Sequence, residues 1–324
     1  MIPTRDLGTT GLRVSALGLG AGQVGDARLS EDDAGRLLNT ALDLGVTLVD
    51  TARGYGLSEE RIGRHLAHRR KDFVLSTKVG YGVEGEPDWT AGCVRRGIDQ
   101  ALGRLRTDVI DVVLLHSCGE DRLRDEALLS VLDQARQAGK IRAAGYSGEN
   151  QPLGYAVASG RFGVVECSVN FCDQRVLDEA LPAARGRGLG LIAKRPIANA
   201  PWRHGERPAG QYVEAYWDCW KAMGDRSGRP PLGRAGAALH GVPARRLGRH
   251  RRHHAGGEPA PQRGAGGEGA AAGRAGGAHP RGLPRPRPGV GGAGVTSGAR
   301  VAPVQGEPQP AAGANRFALQ GARR

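Results

Sequence analysis

DTARGYGLSEERIG, residues 50–63, is the stretch on which the reading of the fold turns. Its Asp50 closes the apolar, β-branched run VTLVD (46–50), its glycines bend the chain around Tyr55, and from Ser58 it becomes charged and amphipathic. A strand buried on both faces reads as such an apolar run, and a surface helix reads as the polar segment behind it. The pattern returns in FVLSTK (73–78), ending at Lys78, and in IDVVLLH (110–116), ending at His116. An acid, a phenol, an ammonium and an imidazole therefore fall at or just past the ends of three successive strands. That is where parallel α/β enzymes keep their chemistry.

Outward from this centre the alternation continues. RDLGTTGLRVS (5–15) reads as a hairpin, placed to plug the bottom of a barrel, and VSALGLG (14–20) as a first strand. Ser30 with Glu31, Asp32 and Asp33 predicts a helix start, since a hydroxyl caps free N–H groups and anions suit the positive helix end. Ser58 and Thr90 are read as the caps of the next two helices. DEALLSVLDQARQAG (125–139), a short helix near Leu153 to Ser159, and VLDEALPAARGRG (176–188) follow the strands IDVVLLH, IRAAGYSG (141–148) and FGVVECSVNF (162–171). GLGLIAKRP (188–196) closes a seventh strand. Seven alternations without interruption predict one parallel α/β domain, a (β/α)8 barrel lacking one strand and its last helices.

Gly20, Gly22 and Gly25 spell GxGxxG after a strand, with Asp50 further on, as in a dinucleotide-binding Rossmann unit. There, however, the helix opens at the glycines so that its N-terminus faces the pyrophosphate. Here the capped start waits until Ser30, so the glycines read as a strand-to-helix loop beside the site.

These strings resemble the aldo/keto reductase family, whose tetrad is an Asp, a Tyr shortly after it, a Lys ending the next strand and a His ending the one after. Asp50, Tyr55, Lys78 and His116 match it, and TGLRVSALGLG (10–20) and LIAKRPIANAPW (191–202) are also similar to the family, over residues 1 to about 229. The resemblance implies a TIM barrel and an NADPH- or NADH-dependent oxidoreductase acting on an aldehyde, ketone or aldose. Strings such as GVEGEPDW (82–89) and LLHSC (114–118) are similar to those of aldose dehydrogenases. Tyr55 would be the general acid/base, Lys78 would lower its proton affinity, Asp50 would fix the Lys78 ammonium, and His116 would orient the substrate oxygen. The cofactor contacts it implies are Gly20, Asp50, Ser147, Glu166, Asn170, Lys194 and Arg195. Ser147 stands where relatives have Ser-Asn, and Glu166 where they often carry Gln. Trp89 and Trp202 would line the substrate pocket, and no metal is required.

Composition divides the chain at about residue 230. Residues 1–230 hold 31 Lys+Arg against 30 Asp+Glu, whereas residues 231–324 hold 15 against 3, so nearly all of the formal charge of +13 lies in the tail. The tail has no Lys, Ile, Asp, Tyr, Trp or Cys, and it holds 22 of the 53 Gly. So few large apolar side chains cannot offset a backbone entropy of roughly 1–2 kcal/mol per residue, and disorder is expected. Relatives carry an eighth strand and a helix that grips the adenosine end of the cofactor at this place. A single displacement of the reading frame near Pro231 would recover a helix and a strand from Leu232 onward, with residues past about Val295 running beyond a lost stop. An alternative function follows: a catalytically impaired or non-catalytic barrel, either a regulatory protein or a frameshifted product.

The stretches RRLGRHRRHH (245–254) and PRGLPRPRP (280–288) could neutralise phosphates, but they lack stacking aromatics and a docking motif, so no nucleic-acid partner is expected. Five cysteines without metal spacing read as free thiols. The N-terminus shows no leader pattern and no run approaches a membrane span, so a soluble cytoplasmic protein is expected. The family resemblance implies a small carbonyl or sugar substrate as its partner.

Overall fold

The computed structural model describes residues 1–223. A hairpin of β1 (Thr4–Asp6) and β2 (Arg13–Ser15) comes first. Then follow β3 (Leu19–Gly20), α1 (Glu31–Asp43), β4 (Leu48–Asp50), α2 (Ser58–Leu66), β5 (Val74–Val79), α3 (Ala91–Leu105) and β6 (Ile110–His116). The second half runs α4 (Glu120–Leu123), α5 (Glu126–Gln137), β7 (Ile141–Ser147), α6 (Asn150–Ser159), β8 (Val164–Ser168), α7 (Val176–Glu179), α8 (Leu181–Gly186), β9 (Gly190–Lys194) and α9 (Glu214–Ala222). Strands β3 to β9 pair in sequence order and all in parallel, the ordering of a (β/α) barrel. Among the described residues the barrel has seven strands, with β3 and β9 each paired on one side. The eighth strand, the frame displacement and the disorder expected of the tail lie outside the described residues.

The period-2 alternation of each strand divides its side chains between two cores. Leu48, Val74, Val112, Leu114, Ala143, Val164 and Ile192 form an inner cluster with Leu7, Leu12 and Val14 of the hairpin. The hairpin therefore plugs the barrel with apolar side chains, as its sequence predicts. Val49, Leu75, Val113, Leu115, Tyr146, Val165 and Cys167 point the other way, into the larger cluster shared with the helices. Continuing the inner alternation toward the strand ends brings Asp50, Lys78, His116, Ser147, Glu166 and Lys194 to one mouth.

Local chemistry sets the starts of three of the longer helices, α1, α3 and α5. Ser30 accepts a hydrogen bond from the Asp33 N–H and Thr90 from the Cys93 N–H, and Asp125 accepts from two N–H groups at the start of α5. Ser58 corrects the expectation of a third hydroxyl cap. It lies inside the first turn of α2, fully buried, and donates to the Ala21 carbonyl at 2.8 Å while accepting from the Thr51 hydroxyl at 2.8 Å. A buried hydroxyl with two partners nearby satisfies them in preference to a helix end. The glycine triplet does not open a helix: Gln23–Gly25 form one 3-10 turn, and α1 begins at Glu31. The thiol reading is corrected in part. Cys172 and Cys219 form a disulfide across 47 residues, because the loop after β8 and α9 pack together, while Cys93, Cys118 and Cys167 are free and buried.

Candidate active site

Strand register builds the site. Gly20 pairs with Asp50 and Asp50 with Ser76, His116 pairs with Ser147 and Ser147 with Glu166, and Ser168 pairs with Lys194. These strand ends lie side by side around the mouth, with residues of alternate parity turned inward.

Lys78 is its electrostatic centre. Its ammonium, with no exposed side-chain surface, donates to Asp50 Oδ2 at 2.6 Å and to the Thr51 carbonyl at 3.0 Å. It lies 5.2 Å from the centre of the Tyr55 ring and 3.4 Å from Glu166 Oε2. Burial by itself would lower the Lys78 pKa. The charges of Asp50, Glu166 and Tyr55 outweigh burial and hold it above the ordinary lysine value. Asp50 is steadied in turn by the Ser76 hydroxyl, which donates to Oδ1 at 2.8 Å.

Tyr55 reaches this group from the turn between β4 and α2. Its N–H donates to the Ala52 carbonyl and its carbonyl accepts from Ser58, while Leu57 donates to Gly25. A Cβ on Gly25 would run into the Tyr55 carbonyl. Gly25 thus allows the two loops to pack, a use of glycine different from the phosphate cradle its spacing suggested. The Tyr55 ring meets His116 edge-on, with centroids 5.9 Å apart. His116 Nδ1 and the Tyr81 hydroxyl are hydrogen-bonded at 2.8 Å, the two rings are stacked at 5.4 Å, and Trp89 lies 5.8 Å from Tyr81. Trp89 is buried against Gly80, whose missing side chain leaves room for the indole.

The remaining sequence-derived candidates fall into two groups. Ser147 donates to Glu166 Oε1 at 3.2 Å and Lys194 lies 3.3 Å from the Ser147 hydroxyl, so these three join the Lys78 cluster. Arg195 donates to the Ser168 hydroxyl at 2.6 Å, lies 3.4 Å from Glu149 and covers the Tyr212 ring, at the rim beside Lys194. Asn170 is engaged within its own loop, where its Oδ1 accepts from the Cys172 and Asp173 N–H groups and its amide donates to Asp173. Trp202 sits in the turn Pro201–Arg203, half-buried beside Phe171. Gly20 is exposed at the end of β3 with open space about it.

Four contributors, Ser76, Ser168, Tyr81 and Glu149, escaped the sequence reading, Ser168 although it lies two residues past Glu166 and so on the same side of β8. Ser76 was accessible in principle, since it lies two residues before Lys78 and therefore on the same side of β5. Tyr81 and Glu149 stand in loops, where nothing in the local sequence distinguishes a contact to the site from ordinary packing. Among the described residues no group of His, Cys, Asp and Glu is arranged to hold a metal ion, and no helix is long and apolar enough to cross a membrane.

The aldo/keto reductase family model matches residues 16–216. L-galactose dehydrogenase of Arabidopsis thaliana is 34% identical over 214 residues, which make up 61% of this chain and 66%, just under two thirds, of that protein. D-threo-aldose 1-dehydrogenase of a Pseudomonas species is 29% identical over 64% of this chain and 75% of its own length. Among solved structures, an aldo-keto reductase of Bacillus halodurans in its holo form superposes with a TM-score of 0.57 at 30% identity, covering 65% of this chain and 72% of that one. With the seven parallel strands and the contacts at their mouth, this match over most of the described chain places the protein in the aldo/keto reductase family.

Proposed function

We propose that this chain is an NAD(P)-dependent oxidoreductase that interconverts the carbonyl and alcohol forms of an aldehyde, a ketone or, by preference, an aldose. The observation that carries the reading is the buried Lys78 ammonium, bound to Asp50 at 2.6 Å and lying 5.2 Å from the Tyr55 ring. A positive charge beside a phenol favours phenolate, so Tyr55 can give a proton to a carbonyl oxygen in one direction and take one from an alcohol in the other. Asp50 keeps the ammonium in place, and Tyr81 and the Tyr55 ring hold the imidazole of His116 in one orientation, from which it steadies a developing alkoxide. The similarity to two sugar dehydrogenases supports an aldose as substrate.

The mouth offers groups suited to a nicotinamide dinucleotide. Lys194, Arg195, Ser147 and Ser168 gather cations and hydroxyls at neighbouring strand ends, as an anionic diphosphate requires. Glu166 Oε2 is a buried acceptor without a hydrogen-bond donor, which suits an amide N–H such as that of a carboxamide. When bound, the nicotinamide supplies or accepts the hydride. Gly20 completes the set of contacts, Asn170 would join it only by leaving its loop partners Cys172 and Asp173, and Trp89 and Trp202 bound the substrate side.

The test is turnover of the full chain with NADPH and NADH, and with their oxidised forms, on a panel of aldoses and simple aldehydes. Tyr55→Phe should lower kcat by about 10²–10⁴-fold, the range of a lost general acid. Turnover unchanged by Tyr55→Phe would refute the assignment. The composition of residues 231–324 supports a second reading, in which the tail is out of frame and this exact chain is impaired despite its intact tetrad. The nucleotide sequence around codon 231 separates the two: an uninterrupted frame supports the active enzyme.

A further inference from the structure

The Lys78 ammonium has two carboxylate neighbours, where the reading above uses one. Asp50 takes the hydrogen bond at 2.6 Å, and Glu166 presents Oε2 at 3.4 Å from the opposite flank of the barrel mouth. Glu166 comes from β8, two strands beyond β6, and its side chain is 1% exposed. The Ser147 hydroxyl occupies Oε1, while Oε2 has the ammonium for its neighbour and no hydrogen-bond donor. No water competes for a charge so placed, and its field on Lys78 is correspondingly strong.

We propose that Glu166 is a positioning residue for proton transfer, a second counter-ion that draws on the Lys78 charge and thereby raises the pH at which Tyr55 ionises. The inference rests on Tyr55 being the acid/base. With Asp50 alone, the excess positive field of Lys78 would fall on the phenol. With Glu166 ionised on the other side, part of that field is neutralised, and phenolate is less favoured. The consequence is directional: Glu166 keeps Tyr55 protonated to higher pH, so carbonyl reduction, which needs the phenol, persists to higher pH and alcohol oxidation, which needs the phenolate, requires more alkaline conditions.

The groups facing Glu166 come from every neighbouring strand end. They are Asp50 on β4, Lys78 on β5, His116 on β6, Ser147 on β7 and Lys194 on β9. Burial pushes the Glu166 carboxyl above the ordinary range, and Asp50 adds to the rise, while Lys78, Lys194 and His116 pull it down. Glu166, Lys78 and Tyr55 thus respond to one another's charge, and removing the Glu166 carboxylate is felt by the phenol through Lys78.

The experiment follows Tyr55 directly in the full-length chain without cofactor. Tyrosine is labelled with carbon-13 at Cζ, the resonances are titrated by NMR, and the Tyr55 signal is identified by its loss in Tyr55→Phe. Glu166→Gln, which keeps the shape and removes the charge, should move the Tyr55 midpoint to lower pH by about one unit, the size expected of a partly screened charge one group removed. The pH profile of alcohol oxidation should move in the same direction by the same amount. Glu166→Asp, which retracts the carboxylate by one methylene, should give a smaller shift of the same sign, and it decides the matter if the Gln variant does not fold. Coincident Tyr55 midpoints in the unaltered chain and in the folded variants would overturn the proposal. That result is distinct from failure of the acid/base assignment, which shows instead as undiminished turnover in Tyr55→Phe.

Discussion

Lys78 shows how one side chain can link stability to chemistry. A lysine with no exposed surface is tolerated only because Asp50, the Thr51 carbonyl and Glu166 surround its charge. Its pKa in the fold lies above the reference value of 10.5, so the ion pair stabilises fully below about pH 10.5. That stability is lost as pH rises toward and through the higher folded value. Thermal unfolding followed from pH 8 to 11 should therefore show a fall in Tm near the alkaline end that is shallower in Lys78→Met, at roughly constant ionic strength. On the proposed role of Tyr55 as acid/base, the same substitution should abolish turnover at every pH, since it removes the positive charge beside the phenol.

At the scale of elements, the hairpin and the loops carry constraints that the strands do not. Gly8 turns the hairpin with φ of 59°, and a Cβ there would strike the Gly188 carbonyl and the backbone of Leu189 and Gly190, at the foot of β9. The Thr9 N–H donates to Gly188 at the same place, so the turn is fastened to the strand it closes. Gly8→Ala should destabilise the protein by about 2–4 kcal/mol, combining a disfavoured backbone conformation with displacement of β9. Gly11→Ala, also at positive φ but with open space around it, should cost about 1 kcal/mol. Urea unfolding of the two variants side by side checks the difference; equal losses would mean that contact with β9 contributes nothing.

At the scale of the molecule, the described residues hold seven parallel strands with Asp50, Lys78 and His116 at one mouth, while residues 231–324 differ from them sharply in composition. A parallel barrel gains its rigidity from closure, so an out-of-frame tail, as in the second reading proposed above, would weaken both the fold and its hold on a cofactor. Fluorescence titration of the full chain with NADPH and NADH is expected to give affinities weaker than micromolar, and the frame-corrected protein tighter ones. Micromolar or tighter binding by the chain as it stands would overturn the expectation that it is impaired; the frame itself is decided by the nucleotide sequence.

How much of this was legible can be argued from particular residues. The strands were, because a two-sided burial requirement writes itself as unbroken apolar runs such as IDVVLLH and leaves little else that a strand of this kind could be. Alternation also told which residues share a face, so Asp50, Lys78 and His116 could be brought to one mouth before any coordinate. Ser58 was misread because a hydroxyl ahead of a charged run looks the same whether it caps a helix or bonds to Ala21 across a loop. The Cys172–Cys219 bridge was invisible for a related reason: 47 residues of chain separate its ends, and only the packing of α9 on the loop after β8 brings them together.

The amino-acid sequence by itself determined the parallel strand order, the hairpin plug and the gathering of Asp50, Lys78 and His116 at one mouth, since each is written in local periodicity and in residue types at strand ends. Tertiary structure alone decided that Glu166 flanks Lys78 opposite Asp50, that Tyr81 holds His116 and that Asn170 is engaged in its own loop. Those contacts join residues far apart in the chain through strand register and loop packing. Their strength depends on burial, a property of the folded whole that no local pattern encodes.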